Sequence, residues 1–234
     1  MSLMQIEAEV LLKPSLDRYP FIEIWLDYLE DELTTAVTEL TSHPALSGKS
    51  IIFTMRTLDL SEPRHSIETR SKAISSLNKT AREHATKPSS PSLMLDLDIR
   101  TQTPELSVFD ETRGSDAPLS LITSYHDFEK TMDREEFERV IAAMSAYAPR
   151  IFKVATYCNT PHDATFLLEA GLRLRDEGRQ AVTIGMGPYG VVTRIFGTLW
   201  GNTLCYCPVQ SDGRSAPGQY SIDHYDQIFK LLEE

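Results

Sequence analysis

Ile151-Phe152-Lys153-Val154-Ala155, then apolar positions at helical spacing over Asp163–Arg175, then Ala181-Val182-Thr183-Ile184, make one strand–helix–strand unit. The two short runs carry the β-rich, apolar composition of buried strands, and the periodic segment between them is long enough to serve as a crossover helix. The same alternation recurs in both directions. Upstream, Phe21–Leu26 reads as a strand followed by helical spacing over Asp31–Leu40, and Ser50–Thr54 as a strand followed by a long polar stretch, Ser61–Lys87, that reads as a helix. Leu93–Asp96 and Leu119–Ser124 are further strands, with a helical pattern at Asp133–Tyr147. Downstream come Val191–Trp200, a strand over Thr203–Cys207, and a helix over Ile222–Leu231. Alternation of this kind indicates a parallel α/β architecture.

With an N-terminal strand over Ile6–Leu11 the strands number eight, which favours a closed (β/α)8 TIM barrel, one domain over residues 1–234. Lys13–Pro20 is too short for a full crossover, so the first helix is expected to be short or missing. Met1 to Leu3 read as a cloning remnant ahead of a natural start at Met4.

The 234 residues suffice for one sizeable core, and 41% hydrophobic with 24% charged residues is ordinary for a globular chain. A formal net charge of −11 argues against nucleic acid or an anionic membrane as the partner. It leaves room for a small anionic substrate held by local arginines. Three cysteines, Cys158, Cys205 and Cys207, make no disulfide framework, and with no secretory segment or membrane span in view they fit a reducing cytoplasm. A homodimer is compatible with all of this.

In a β/α barrel the chemistry lies at the carboxyl ends of the strands. Those ends carry Glu23 and Asp27, Arg56, Asp96 and Asp98, and Ser124-Tyr125-His126-Asp127. Lys153 lies within the next strand, Arg194 follows the glycine-rich turn after the seventh, and Ser215 and Gln219 lie in the last loop. A lysine turned into a barrel loses hydration, which favours its neutral, nucleophilic amine; one turned outward would snorkel between helices. His126 has the chemistry of a general base near neutral pH, or it caps the start of a helix. Gly185-Met186-Gly187-Pro188-Tyr189-Gly190 matches the dinucleotide-binding glycine pattern. No acidic residue follows at the ribose-binding distance, so a tight turn feeding the helix of Arg194 is the better reading. Cys205 and Cys207 share one strand face without a second ligand pair, and Asp96 and Asp98 serve structural hydrogen bonding equally well, so no metal is assigned.

Taken in order, these residues resemble the type I 3-dehydroquinate dehydratases. Leu121-Ile122-Thr123-Ser124-Tyr125-His126-Asp127, placed after Asp96-Leu97-Asp98, is similar to that family's active-site histidine signature. Lys153-Val154-Ala155 stands where the family has its Schiff-base lysine. Gly185-Met186-Gly187 followed by Arg194 resembles its carboxylate-binding turn, and Ser215-Ala216-Pro217-Gly218-Gln219 its closing loop. Glu23, Asp27 and Phe53-Thr54-Met55-Arg56 match early substrate-binding strands, so the similarity runs from Phe21 to the C-terminus. Two positions depart from the pattern. Trp25 stands where the family carries an arginine, and Leu58-Asp59-Leu60-Ser61-Glu62 replaces a Glu-Gly-Gly turn. By strand parity Trp25 should face the same side as Glu23, with its indole N–H on a polar group or water.

The resemblance implies a lyase acting on 3-dehydroquinate in the shikimate pathway. Lys153 would form an iminium with the C3 ketone, and His126 would take the C2 proton and return one to the departing hydroxyl. Glu23, Arg56, Arg194, Ser215 and Gln219 would bind substrate. No metal or organic cofactor is needed, because the iminium is the electron sink. Two alternatives stand beside this: a catalytically silent relative that binds a related metabolite, and another Schiff-base lyase of the class I aldolase type.

Overall fold

A computed structural model describes residues 2–3, 14–29, 32–56, 63–87, 89–114, 118–208 and 218–232. The chain forms two compact units, Met1–Ile122 and Thr123–Glu234.

The first unit carries β1 (Ser2–Leu3), β2 (Phe21–Trp25), α1 (Leu33–Ser42), β3 (Ser50–Thr54), α2 (Ile67–His84), β4 (Ser92–Asp98) and α3 (Thr103–Arg113). β1 to β4 pair in sequence order and all in parallel. Ile51 to Phe53 and Leu93 to Leu95 are almost wholly buried on both strand faces, as parallel strands covered by helices must be. The register aligns the strand ends: Trp25 pairs with Thr54, and Thr54 with Asp96. Three polar or amphipathic side chains thus share one rung. Before β2 the described chain makes only a five-residue 3-10 helix, Pro14–Arg18, which agrees with the short connection expected there. The expected strand Ile6–Leu11 lies outside the described residues. Ser2–Leu3, set aside above as a remnant, pairs with Glu23 and Ile24.

The second unit contains most of β5 (Ser120–Asp127), which begins in the first. It continues with α4 (Arg134–Ser145), β6 (Ile151–Tyr157), α5 (Pro161–Asp176), β7 (Ala181–Met186), α6 (Gly187–Trp200) and α7 (Ile222–Leu232). β6 and β7 are parallel, with Lys153 opposite Val182 and Ala155 opposite Ile184. The helix starts are written locally. Asp133 accepts from the Glu136 N–H at 2.8 Å, and Thr160 with Asp163 forms a reciprocal cap around Pro161. Gly185 and Gly190 let α6 begin directly after β7. A Cβ on Gly190 would lie 2.2 Å from the Gly185 carbonyl carbon, so the glycine pattern is a close strand–helix turn.

Two expectations need correction. Thr203–Cys207 forms no strand; the backbone there is irregular, with a single bridge at Pro208. Asn202 supplies the reason. Its Oδ1 accepts from the Thr183 N–H at 3.0 Å and its Nδ2 donates to the Thr183 carbonyl at 3.1 Å, so a side chain occupies the edge groups of β7 that a ladder would use. The other correction is α3, which the periodic pattern lacks. Its buried face mixes Leu106 and Phe109 with Glu105, and Glu105 is held by Arg70 of α2 at 2.6 Å. No described helix is long and apolar enough to cross a membrane.

Candidate functional site

The rung Trp25–Thr54–Asp96 carries a buried polar cluster in the first unit. Glu23, two residues before Trp25 and on the same strand face, is 2% exposed. Its Oε2 accepts the Trp25 indole N–H at 2.9 Å, and its Oε1 accepts the Thr54 hydroxyl at 3.3 Å. The expected orientation of Trp25 therefore holds: it lies beside Glu23 and its N–H meets a carboxylate. Arg56, just past β3, reaches Asp96 through two parallel contacts of 2.9 and 3.1 Å, and its guanidinium lies 5.7 Å from the Trp25 ring centroid. Burial works against the Arg56 charge, but Asp96, through charge and hydrogen bonds, with Asp98 and Glu23 adding to it, raises its pKa above the usual arginine range. This cation stays charged in a dry place.

Asp27 and Asp98, the other two carboxylates of these strand ends, hold backbone. Asp27 Oδ2 accepts from the Arg64 N–H at 3.1 Å, and Asp98 Oδ1 accepts from the N–H groups of Arg100 and Thr101. Gln102 completes that turn by bridging Asp98 N–H and the Met55 carbonyl. Both act in local structure, as the strand-end reading allowed for Asp98. The altered turn at 58–62 lies outside the described residues.

In the second unit Lys153 stands on β6 and is 5% exposed. Its neighbour Phe152 faces the other way, with Arg179 at 5.2 Å over its ring. Lys153 therefore points to the opposite face of the strand, where its Nζ lies 4.5 Å from the Tyr206 ring centroid. A snorkelling lysine would carry an exposed ammonium; this one does not. His126 is also buried on β5, with its ring at 6.3 Å from Phe128 and nearly parallel to it. It caps no helix. Asp127 makes the turn that ends the strand by accepting from the Glu129 and Lys130 N–H groups, and α4 starts later, at Asp133.

Arg194, 7% exposed on α6, faces a small cavity of about 10 Å³, room for a single water, lined also by Ile184, Thr198, Asn202, Leu204, Cys205, Tyr206 and Tyr225. Burial lowers its pKa below the usual arginine range, with Tyr225, Cys205 and Tyr220 working in the opposite direction. Gly218 comes close, since a Cβ there would lie 3.6 Å from Arg194 Nε. Gln219 follows it, with its Oε1 buried and without a hydrogen-bond partner among the described residues. Ser215 lies outside the described residues. Tyr206 was not singled out in the sequence. The signal was available in hindsight only as an aromatic set between two cysteines, and burial beside Lys153 depends on the irregular path that Asn202 imposes.

The arrangement in this unit is a buried amine beside an aromatic face, with a buried guanidinium in a cavity that the same aromatic also lines. Among the described residues no group of three or more His, Cys, Asp or Glu side chains could hold a metal ion.

A family model described as type I 3-dehydroquinase matches residues 9–234. The chain is similar to the 3-dehydroquinate dehydratase of Methanosarcina acetivorans, with 32% identity over 114 residues, 49% of this chain and 47% of that protein. It is also similar to that of Methanocaldococcus jannaschii, with 32% identity over 140 residues, 59% of this chain and 60% of that protein. The chain thus matches about half the length of these curated relatives. Among solved structures, the type I 3-dehydroquinate dehydratase from Clostridium difficile superposes with a TM-score of 0.77 at 22% identity, covering 95% of this chain and 85% of that one. The 3-dehydroquinate dehydratase from Aquifex aeolicus gives 0.75 at 22% identity, covering 99% and 96%. At such identity the likeness is one of fold.

Proposed function

Because the chain belongs to the type I 3-dehydroquinase family, we propose that it is a lyase that converts 3-dehydroquinate to 3-dehydroshikimate and water through a Schiff base on Lys153. The observation that carries this reading is the burial of Lys153 on the face of β6 opposite Phe152, against Tyr206. A dry amine is the nucleophile such chemistry needs. Its nitrogen adds to the C3 carbonyl and the carbinolamine loses water to give an iminium. That cation draws electrons from C2, His126 takes the C2 proton, and the enamine expels the C1 hydroxyl as water with a proton returned by His126. Hydrolysis then releases product and the free lysine. Arg194 would hold the substrate carboxylate, since its cavity desolvates a cation that an anion can pair. Glu23 and Arg56 would meet ring hydroxyls, with Ser215 and Gln219 excluding water. The reading includes the closed (β/α)8 barrel and the single domain over residues 1–234 suggested by the sequence, supported by the likeness of fold to the solved relatives. A cytoplasmic enzyme and a homodimer are consistent with it.

A second reading has its own observation. Trp25 and Thr54 occupy both oxygens of Glu23, and Asp96 occupies the Arg56 fork. Polar groups so fully engaged suit a relative that binds a metabolite without turning it over. Borohydride reduction in the presence of 3-dehydroquinate separates the two. A dehydratase is inactivated and gains a product-derived mass on Lys153, and Lys153→Ala neither turns over nor traps. Wild-type protein without turnover or adduct is the silent relative, and turnover by Lys153→Ala would falsify the Schiff base.

A further inference from the structure

Cys205 and Cys207 have no part in the proposed dehydration, yet their surroundings are those of a reactive pair. Their sulfur atoms lie 4.0 Å apart. Neither is in a disulfide; Cys207 is buried, and Cys205 is half-buried in the lining of the Arg194 cavity. Residues two apart in extended chain have Cα atoms about 6.6 Å apart, within the range of up to about 6.8 Å that a disulfide spans. The sulfurs must still approach by about 2 Å. Thr203 N–H is held by the Ala181 carbonyl at 2.8 Å, but residues 204–207 beyond it form no strand, so no ladder fixes the backbone between the two cysteines.

From this geometry we infer that Cys205 and Cys207 form a reversible redox site, in which a hydroperoxide oxidises the pair to an intrachain disulfide. Cys205 is the attacking sulfur. The hydrogen bond from Cys207 holds its pKa below the ordinary thiol value, against the effect of burial, and Thr198 and Tyr225 add hydrogen bonds. Cys207 is held well above the ordinary thiol value by the same hydrogen bond, burial and the facing Cys205 charge. Among the described residues, Arg194 of α6 and Tyr225 and Asp226 of α7 are charged or titratable groups that act on the pair. The thiolate of Cys205 attacks one peroxide oxygen and breaks the O–O bond. The sulfur becomes a sulfenic acid and the other oxygen leaves as water, taking the thiol proton. Cys207 then attacks that sulfur, the S–S bond forms, and the sulfenic hydroxyl leaves as a second water with the Cys207 proton. Two thiols and one hydrogen peroxide give one disulfide and two waters. Bond formation also removes a negative charge beside Arg194.

The pair is distinguishable from the third cysteine by an internal control. Cys158 is buried, accepts a weak hydrogen bond from Thr131 at 3.8 Å, and has its pKa raised by burial. The test treats the reduced, full-length protein with hydrogen peroxide under native conditions, alkylates the remaining thiols and digests it with trypsin. Cleavage after Arg194 and Arg214 places Cys205 and Cys207 on one peptide and Cys158 on another. The expected result is a 195–214 peptide that has lost two hydrogens, regains them with dithiothreitol, and forms at least about tenfold faster than Cys158 oxidises. In Cys207→Ser, dimedone should trap a sulfenic acid on Cys205; in Cys205→Ser, Cys207 should resist peroxide. Lowering the pH should slow the wild-type reaction as the Cys205 thiolate is protonated, with a midpoint below that of an ordinary thiol. Retention of both thiols at a peroxide dose that oxidises free glutathione overturns the proposal. So does faster oxidation of Cys158, or a disulfide that joins two chains. None of these readouts depends on dehydratase activity, so the redox site and the lyase reading stand or fall separately.

Discussion

At Trp25 a single substitution against the family pattern changes the chemistry of a whole rung. Its indole donates a hydrogen bond to Glu23, and its ring lies beside Arg56. Trp25→Phe keeps an aromatic face near the guanidinium but deletes the N–H that Glu23 accepts. A hydrogen bond to a charged group is worth about 1.5–3 kcal/mol, so a drop of that size in unfolding free energy is expected from urea titration. Trp25→Arg acts differently. It restores a cation beside Glu23 and brings a second guanidinium near Arg56, so it should lower KM for 3-dehydroquinate while costing some stability through like-charge crowding. An arginine variant with unchanged KM would show that position 25 does not meet substrate. The orientation of Trp25 was legible from strand parity alone, because alternation fixes the face. Its partner on that face was not, since both Glu23 and water could accept from an indole.

Elements were legible where one side chain pattern dominated. The strands β2 to β7 and the helices α1, α4, α5, α6 and α7 follow from apolar runs and 3.6-residue spacing, and α2 was read from a long polar stretch between two strands. α3 escaped because the charge on Glu105 breaks its apolar stripe, although Pro104 in the first turn was a start signal. Glu105 is 1% exposed and paired with Arg70, which is 11% exposed. Glu105→Gln leaves that guanidinium without its anion, and breaking a buried pair from one side costs about 3–5 kcal/mol. The urea midpoint should fall accordingly; a change below about 1 kcal/mol would mean that water already compensates Arg70. The missing strand at 203–207 teaches the opposite lesson. Its composition suits a strand, yet a strand needs free edge groups, and Asn202 holds those of Thr183. Asn202→Ala should expose the Thr183 amide, lower its hydrogen-exchange protection and cost about 1–3 kcal/mol for the orphaned groups. Undiminished protection at Thr183 would mean that the following chain can take the edge after all.

Over the whole molecule, binding and chemistry can be separated by asking what the folded state gains from ligand. Any molecule that binds only the native protein raises its stability by an amount set by concentration over Kd, about 2.7 kcal/mol at one hundred times Kd. For a chain of this length that corresponds to a Tm increase of roughly 5–10 °C. Wild-type enzyme would consume 3-dehydroquinate during the measurement, but Lys153→Ala cannot form the iminium and should hold substrate unreacted. Its Tm should therefore rise with 3-dehydroquinate, although without the covalent contribution. Arg194 provides the control. It is buried in its cavity, and its charge is the group proposed to meet the carboxylate. In Lys153→Ala combined with Arg194→Ala the affinity should fall by the value of a charge-assisted contact, about 1.5–3 kcal/mol. The same ligand concentration would then leave less than half of the shift. A shift that survives the double substitution unchanged would move carboxylate recognition to another residue. No shift in Lys153→Ala or in the wild type, at millimolar 3-dehydroquinate, would mean that this chain has kept the family's fold and buried lysine without the family's ligand.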